Sequence, residues 1–204
     1  MEIIIHRINT IKKLTHIRKG FGTEIDIKSY KSKLILNHEP FKSGDLLENY
    51  LSAYNNGTLI LNIKESGIED EVIRLVKLYN IKSYFLLDCE MPYIFQKCKT
   101  KFKKIAIRYS EYEPIQISEK FINKVDWIWI DTYTKLPIKK NDVKIIKKFK
   151  SCLVCPERWG REKDIEKYFN KMIDMKFMPT SVMTSKKNSL KWLKLVNKKV
   201  LSVK

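Results

Sequence analysis

Two kinds of apolar spacing alternate from one end of this sequence to the other. Ile3-Ile4-Ile5, Leu59-Ile60-Leu61, Tyr84-Phe85-Leu86-Leu87 and Trp127-Ile128-Trp129-Ile130 are unbroken runs, as expected of strands covered on both faces. Such runs predict strands at about 2–6, 22–27, 58–64, 83–88, 104–108, 125–131, 151–157 and 180–184, with a further extended piece at 33–37. Between them apolar residues recur every three or four positions. Leu46, Leu47, Tyr50, Leu51 and Tyr54 predict a helix opened by Ser43 and Asp45 and stopped by Asn55-Asn56-Gly57. Ile68, Val72, Leu75, Val76 and Tyr79 form the inward stripe of the next helix, and a third passes through Phe95. Ile165, Tyr168, Phe169, Met172 and Ile173 mark a later one, and the last begins near Leu190. Thr10 to Lys19 is a short connector or helix.

Eight short strands alternating with helices make an α/β chain, either a doubly wound sheet or a (β/α)8 barrel. The polar residues choose between them. His6, Glu24 with Asp26, Asn62 with Lys64, Asp88, Arg108, Asp131, Glu157 and Thr184 all fall at the carboxyl ends of their strands. A barrel brings those ends to one rim, where βα loops build the active site, whereas a doubly wound sheet spreads them along an edge. The expectation is a compact (β/α)8 TIM barrel, one domain over residues 1–204, shorter than the roughly 250 residues usual for the fold because its loops are short.

Composition narrows the setting. The opening apolar run is too short for a signal peptide and no later run is long enough to span a bilayer, so a soluble, cytoplasmic protein is expected. Cys89, Cys98, Cys152 and Cys155 show no disulfide-framework spacing; Cys152-Leu-Val-Cys155 is a lone C-x-x-C without a second pair to complete a zinc site, and reads as buried thiols. The formal charge of +18 admits nucleic acid, an anionic membrane or an anionic substrate as partner. Its lysines are spread through nearly every helix, thickest at 139–150 and 186–204, without the aromatic interleaving of single-strand binders, so a lysine-rich solvated surface is preferred over nucleic-acid binding.

The chemistry concentrates between His6 and His38. Side chains two apart on a strand share a face, so Glu24 and Asp26 can hold one hard cation between them. Two histidines bracket the pair. An imidazole on either side of a carboxylate-bound cation suits metal-assisted phosphodiester cleavage, one histidine taking a proton and the other returning one. All-oxygen ligands favour magnesium or calcium over zinc.

The order His6-Arg7, Glu24-x-Asp26, His38 resembles the start of the glycerophosphodiester phosphodiesterase and phosphatidylinositol-specific phospholipase C superfamily. The resemblance implies a TIM-barrel phosphodiester hydrolase with His6 and His38 catalytic, Glu24 and Asp26 binding the metal, and an attack by a hydroxyl of the substrate that gives a cyclic phosphate first. Leu61-Asn62-Ile63-Lys64 lies where the family has acidic-x-Lys, so Lys64 and Arg7 are implied phosphate contacts, joined by Arg108 further along the rim. Asn62 stands at the third metal ligand, keeping a coordinating carbonyl but no charge. Asp88, at the end of the fourth strand, is the best placed to supply the missing anion. Arg108 to Pro114, Trp127 to Asp131 and Pro156 to Arg161 look like segments of a small bacterial branch with the same Asn-Ile-Lys. The segment that glycerophosphodiesterases carry near His38 is missing, which argues against glycerophosphodiesters themselves as substrates.

Each residue also has a plainer reading. Glu24 and Asp26 can be charges on a solvated strand, and Lys64 and Arg108 can form structural ion pairs with Asp88 or Glu111. Two alternatives to a small-phosphodiester hydrolase follow: an inactive relative binding a phosphorylated sugar or headgroup, motivated by Asn62, and a basic nucleic-acid-binding protein, motivated by charge alone.

Overall fold

A computed structural model describes residues 1–201. The chain divides into two units, Ile4–Ile105 and Met1–Ile3 with Ala106–Lys204. β1 (Glu2–Ile5) begins in the second and ends in the first.

In the unit of residues 4–105, the chain runs from β1 through the short helix α1 (Ile11–Leu14) to β2 (Gly22–Tyr30), β3 (Lys33–Leu36) and β4 (Asp45–Leu46). It continues through α2 (Leu47–Ala53), β5 (Leu59–Ile63), α3 (Glu69–Leu78), β6 (Tyr84–Leu87) and α4 (Met91–Lys97). β1, β2, β5 and β6 are parallel neighbours, with Asp26 beside Asn62 in the β2–β5 register. Every residue of β5 and β6 is buried, which is why both read as unbroken apolar runs. Helix α3 turns Val72, Leu75 and Val76 inward as its spacing predicts.

Two features were not legible. β2 runs three residues past the predicted Ile27 because Lys28, Ser29 and Tyr30 pair antiparallel with Ile35, Leu34 and Lys33. The two-residue turn, Lys31 and Ser32 with φ of 47° and 59°, has the left-handed geometry that matches strand twist, but neither residue advertises it as Asn-Gly does. The helix expected to open at Ser43 and Asp45 starts instead at Leu47. Asp45 and Leu46 pair with Leu36 and Ile35 as a strand, and the Asp45 carboxylate accepts the Ile11 N–H of α1 at 2.7 Å.

The other unit carries β7 (Ala106–Tyr109), α5 (Ile115–Glu119), β8 (Trp127–Ile130), α6 (Val143–Ile146), β9 (Lys150–Val154), α7 (Ile165–Asp174), β10 (Ser181–Thr184) and α8 (Ser189–Leu201). β7, β8, β9 and β10 are parallel in sequence order. The predicted strand at 151–157 ends at Val154, since Pro156 opens a 3-10 turn through Trp159 that Gly160 closes at φ 75°. Ile165, Tyr168, Phe169 and Met172 are buried on α7, and Trp192 is wholly buried in the core. Cys152 and Cys155 are buried free thiols as expected; Cys89 and Cys98 are half-buried. The eight parallel strands with their intervening helices give an α/β, TIM-barrel-like chain. No helix among the described residues is long and apolar enough to cross a membrane.

Candidate active site

Glu24 and Asp26 stand side by side on β2 at 0% and 1% exposure, which rules out the solvated-strand reading. A buried carboxylate needs donors or cations, and the surroundings supply both. Arg7 takes a left-handed backbone at φ 56°, and its amide donates to Glu24 Oε2 at 2.8 Å. Asn9 clasps Asp26 twice: its side-chain amide donates to Asp26 Oδ2 at 2.8 Å, and its carbonyl accepts the Asp26 backbone N–H at 2.9 Å. The β1–α1 loop is thereby folded over the acidic pair.

From β5, the Asn62 amide donates to Glu24 Oε1 at 2.8 Å and Asp26 Oδ1 at 3.3 Å, bridging two groups that would otherwise repel. Lys64 Nζ lies 3.5 Å from Asp26 Oδ1 and Arg7 Nε 3.7 Å from Asp26 Oδ2. His6 Nε2 is 3.9 Å from Glu24 Oε2. Burial, then the neighbouring Asp26 charge, pushes the Glu24 carboxyl up to about 7, against the opposing pull of Asn62, Arg7 and Lys64.

The donor set suits a hard cation. Two carboxylates and the side-chain carbonyl of Asn62 are oxygen ligands, and Asn62 Oδ1 is buried without a hydrogen-bond partner. Turning that amide by half a rotation brings the orphaned oxygen to the carboxylates in place of its NH2. Asp88 is placed otherwise. Its carboxylate meets Lys64 at 3.3 Å, so it reaches the pair through the lysine. Among the described residues no three His, Cys, Asp or Glu side chains gather in a metal-ligating arrangement.

His38 follows β3 in the loop toward β4, and its Nδ1 lies 3.1 Å from Glu39 Oε1. The His38 hydrogen bond holds the Glu39 carboxyl below its usual range. His38 and Lys64 line one open cleft of about 600 Å³ with Lys28, Tyr30, Pro40 and Phe41. Lys64 thus joins the acidic pair to the cleft that holds His38.

Arg108 belongs to the other unit, where it forms ion pairs with Asp131 at 2.5 Å and Glu113 at 3.4 Å. Asp131 also accepts the indole N–H of Trp129 and of Trp159. Glu157 accepts from Thr184. Sequence reasoning missed Asn9, Glu39 and Lys28. Asn9 sits within the opening stretch, and Lys28 continues the face-sharing series Glu24, Asp26, two residues on.

Fold and residues together describe an α/β, TIM-barrel-like protein with a buried acidic pair on β2, which extends past the predicted carboxyl end, flanked by histidine, lysine and arginine. The chain has the fold of a solved "putative glycerophosphoryl diester phosphodiesterase" from Agrobacterium tumefaciens, to which it is 10% identical over 98% of its length and 99% of the other's, with a TM-score of 0.66. It is similarly related to the solved glycerophosphodiester phosphodiesterase of the same organism, 11% identical over 90% and 96% of the two chains, TM-score 0.59. No protein-family model matches the sequence, and no curated protein matches it.

Proposed function

We propose that this protein is a metal-dependent phosphodiester hydrolase acting on a small substrate through His6 and His38. The observation that carries the reading is the bridged Glu24–Asp26–Asn62 cluster beside His6 and Lys64, on a fold shared with solved phosphodiesterases. Glu24, Asp26 and the Asn62 carbonyl would hold Mg2+ or Ca2+, which supplies charge neutralisation to a nonbridging phosphate oxygen. Lys64, at the cleft wall, and Arg7, beside Asp26, bind and orient the phosphate. His38, hydrogen-bonded to Glu39, takes the proton of the attacking group, water or a hydroxyl of the substrate, and His6 returns one to the leaving oxygen. Asn9 and the Arg7 amide keep the acidic pair in place as charge builds.

The test is turnover of bis(4-nitrophenyl) phosphate with added Mg2+ or Ca2+. His38→Ala is expected to lower kcat by roughly 10²–10⁴-fold, and excess chelator to abolish turnover. Activity that persists in chelator, or that His6→Ala and His38→Ala leave unchanged, would overturn the mechanism. Asn62 also favours a second reading, a phosphate-ester-binding protein without turnover; saturable binding of glycerol phosphate with no cleavage of any diester selects it.

A further inference from the structure

Lys28 lies on the same face of β2 as Glu24 and Asp26, since alternate residues of a strand share a face. Strand rise puts its Cα roughly 7 Å beyond that of Asp26. It is 8% exposed, yet its ammonium meets no carboxylate among the described residues and donates to the backbone carbonyl of Glu39. Glu65, which shares the cleft, is already taken: its two oxygens accept the backbone N–H and the hydroxyl of Ser29 at 2.7 and 2.8 Å. An ammonium has three donors and is costly to bury without an anion. Lys28 therefore brings an ammonium with no carboxylate at ion-pair distance among the described residues, and two N–H groups beyond the one given to Glu39, to the wall of the same cleft as His38 and Lys64.

The cleft, at about 600 Å³, is far larger than one phosphate requires and falls in the range of small-molecule sites. Resting on the phosphodiesterase reading, we propose that Lys28 is a second anion subsite, so that the substrate is a phosphodiester whose alcohol arm carries a further carboxylate or phosphate a few bonds from the scissile phosphorus. Tyr30 and Phe41, the latter 98% exposed, line the same cleft.

Calorimetric titration of the full chain with 2-phosphoglycolate and with ethyl phosphate, at physiological salt, tests this. The two ligands share the phosphate and differ in a carboxylate. The wild type is expected to bind 2-phosphoglycolate at least about tenfold more tightly, a difference of about 1.4 kcal/mol. Lys28→Met should erase the preference while leaving ethyl phosphate affinity unchanged, and Lys28→Arg should retain it. Lys28→Gln serves if the methionine variant fails to fold. Equal affinities in the wild type, binding of neither ligand, or a preference that survives loss of the ammonium overturns the subsite. Bis(4-nitrophenyl) phosphate turnover, measured alongside, separates the two ideas: a Lys28-dependent preference without turnover leaves the subsite standing and removes the hydrolase reading.

Discussion

Asn62 sits beside Asp26 in the strand register, within hydrogen-bond reach of both carboxylates, and its amide does what a third carboxylate could not: it donates to both. An aspartate there would put three negative groups in one buried volume, with Lys64 and Arg7 as the nearest counter-charges. Asn62→Asp is therefore expected to destabilise the metal-free protein by about 2–4 kcal/mol, the scale of an uncompensated buried charge. It should also gain more stability from added Ca2+ than the wild type does, because the extra anion strengthens binding to the native state alone. Melting curves with and without Ca2+ check both; equal Ca2+ responses would show that position 62 does not face the cation. At this scale much was legible. Spacing pointed to His6, Glu24 and Asp26 and the family resemblance to Arg7 and Lys64, and the structure brings these five side by side. Asn9 and Lys28 were passed over because their roles depend on which backbone groups the β1–α1 loop and the β3–β4 segment bring to them.

The β3–β4 segment decides where His38 goes. Gly44 allows its close return: a Cβ at that position would lie 2.1 Å from the backbone carbonyl oxygen of Leu36. Backbone cannot swing aside as a flexible side chain can. Gly44→Ala is expected to cost about 2–3 kcal/mol and to reduce turnover by displacing the loop that holds His38; chemical denaturation and kcat measured on one preparation test it. Unchanged stability would mean that the segment adjusts freely. The apolar runs predicted the eight parallel strands well, since strands covered on both faces are mostly apolar; Glu24, Asp26 and Asn62 are the buried exceptions that build the site. The extended piece at 33–37 was also predicted, and β3 occupies it; its antiparallel pairing with β2 and with the two residues Asp45-Leu46 escaped, because pairing across a loop is a long-range choice that local spacing does not encode.

A formal charge of +18 leaves the folded chain under self-repulsion, because 41 basic side chains face 23 acidic ones. Several pairs offset part of this, such as Arg74 with Glu71 and Lys97 with Asp70, but exposed pairs contribute little each. Raising NaCl shortens the Debye length to about 10 Å at 0.1 M, so the melting temperature should rise by roughly 2–4 °C, or about 1 kcal/mol, between low and physiological salt. A fall in melting temperature would mean that attractive pairs outweigh the repulsion.

From its letters alone the chain specifies alternating strands and helices, because burial on both faces imposes unbroken apolar runs and burial on one imposes helical spacing. The same letters place the acidic pair on one side of a strand, since that periodicity is a property of the backbone. Tertiary structure decided what those groups meet. The Asn62 bridge, the Asn9 clasp, the Lys64 link to His38's cleft and the Lys28 bond to the Glu39 carbonyl all join residues far apart in sequence, and only packing sets such distances.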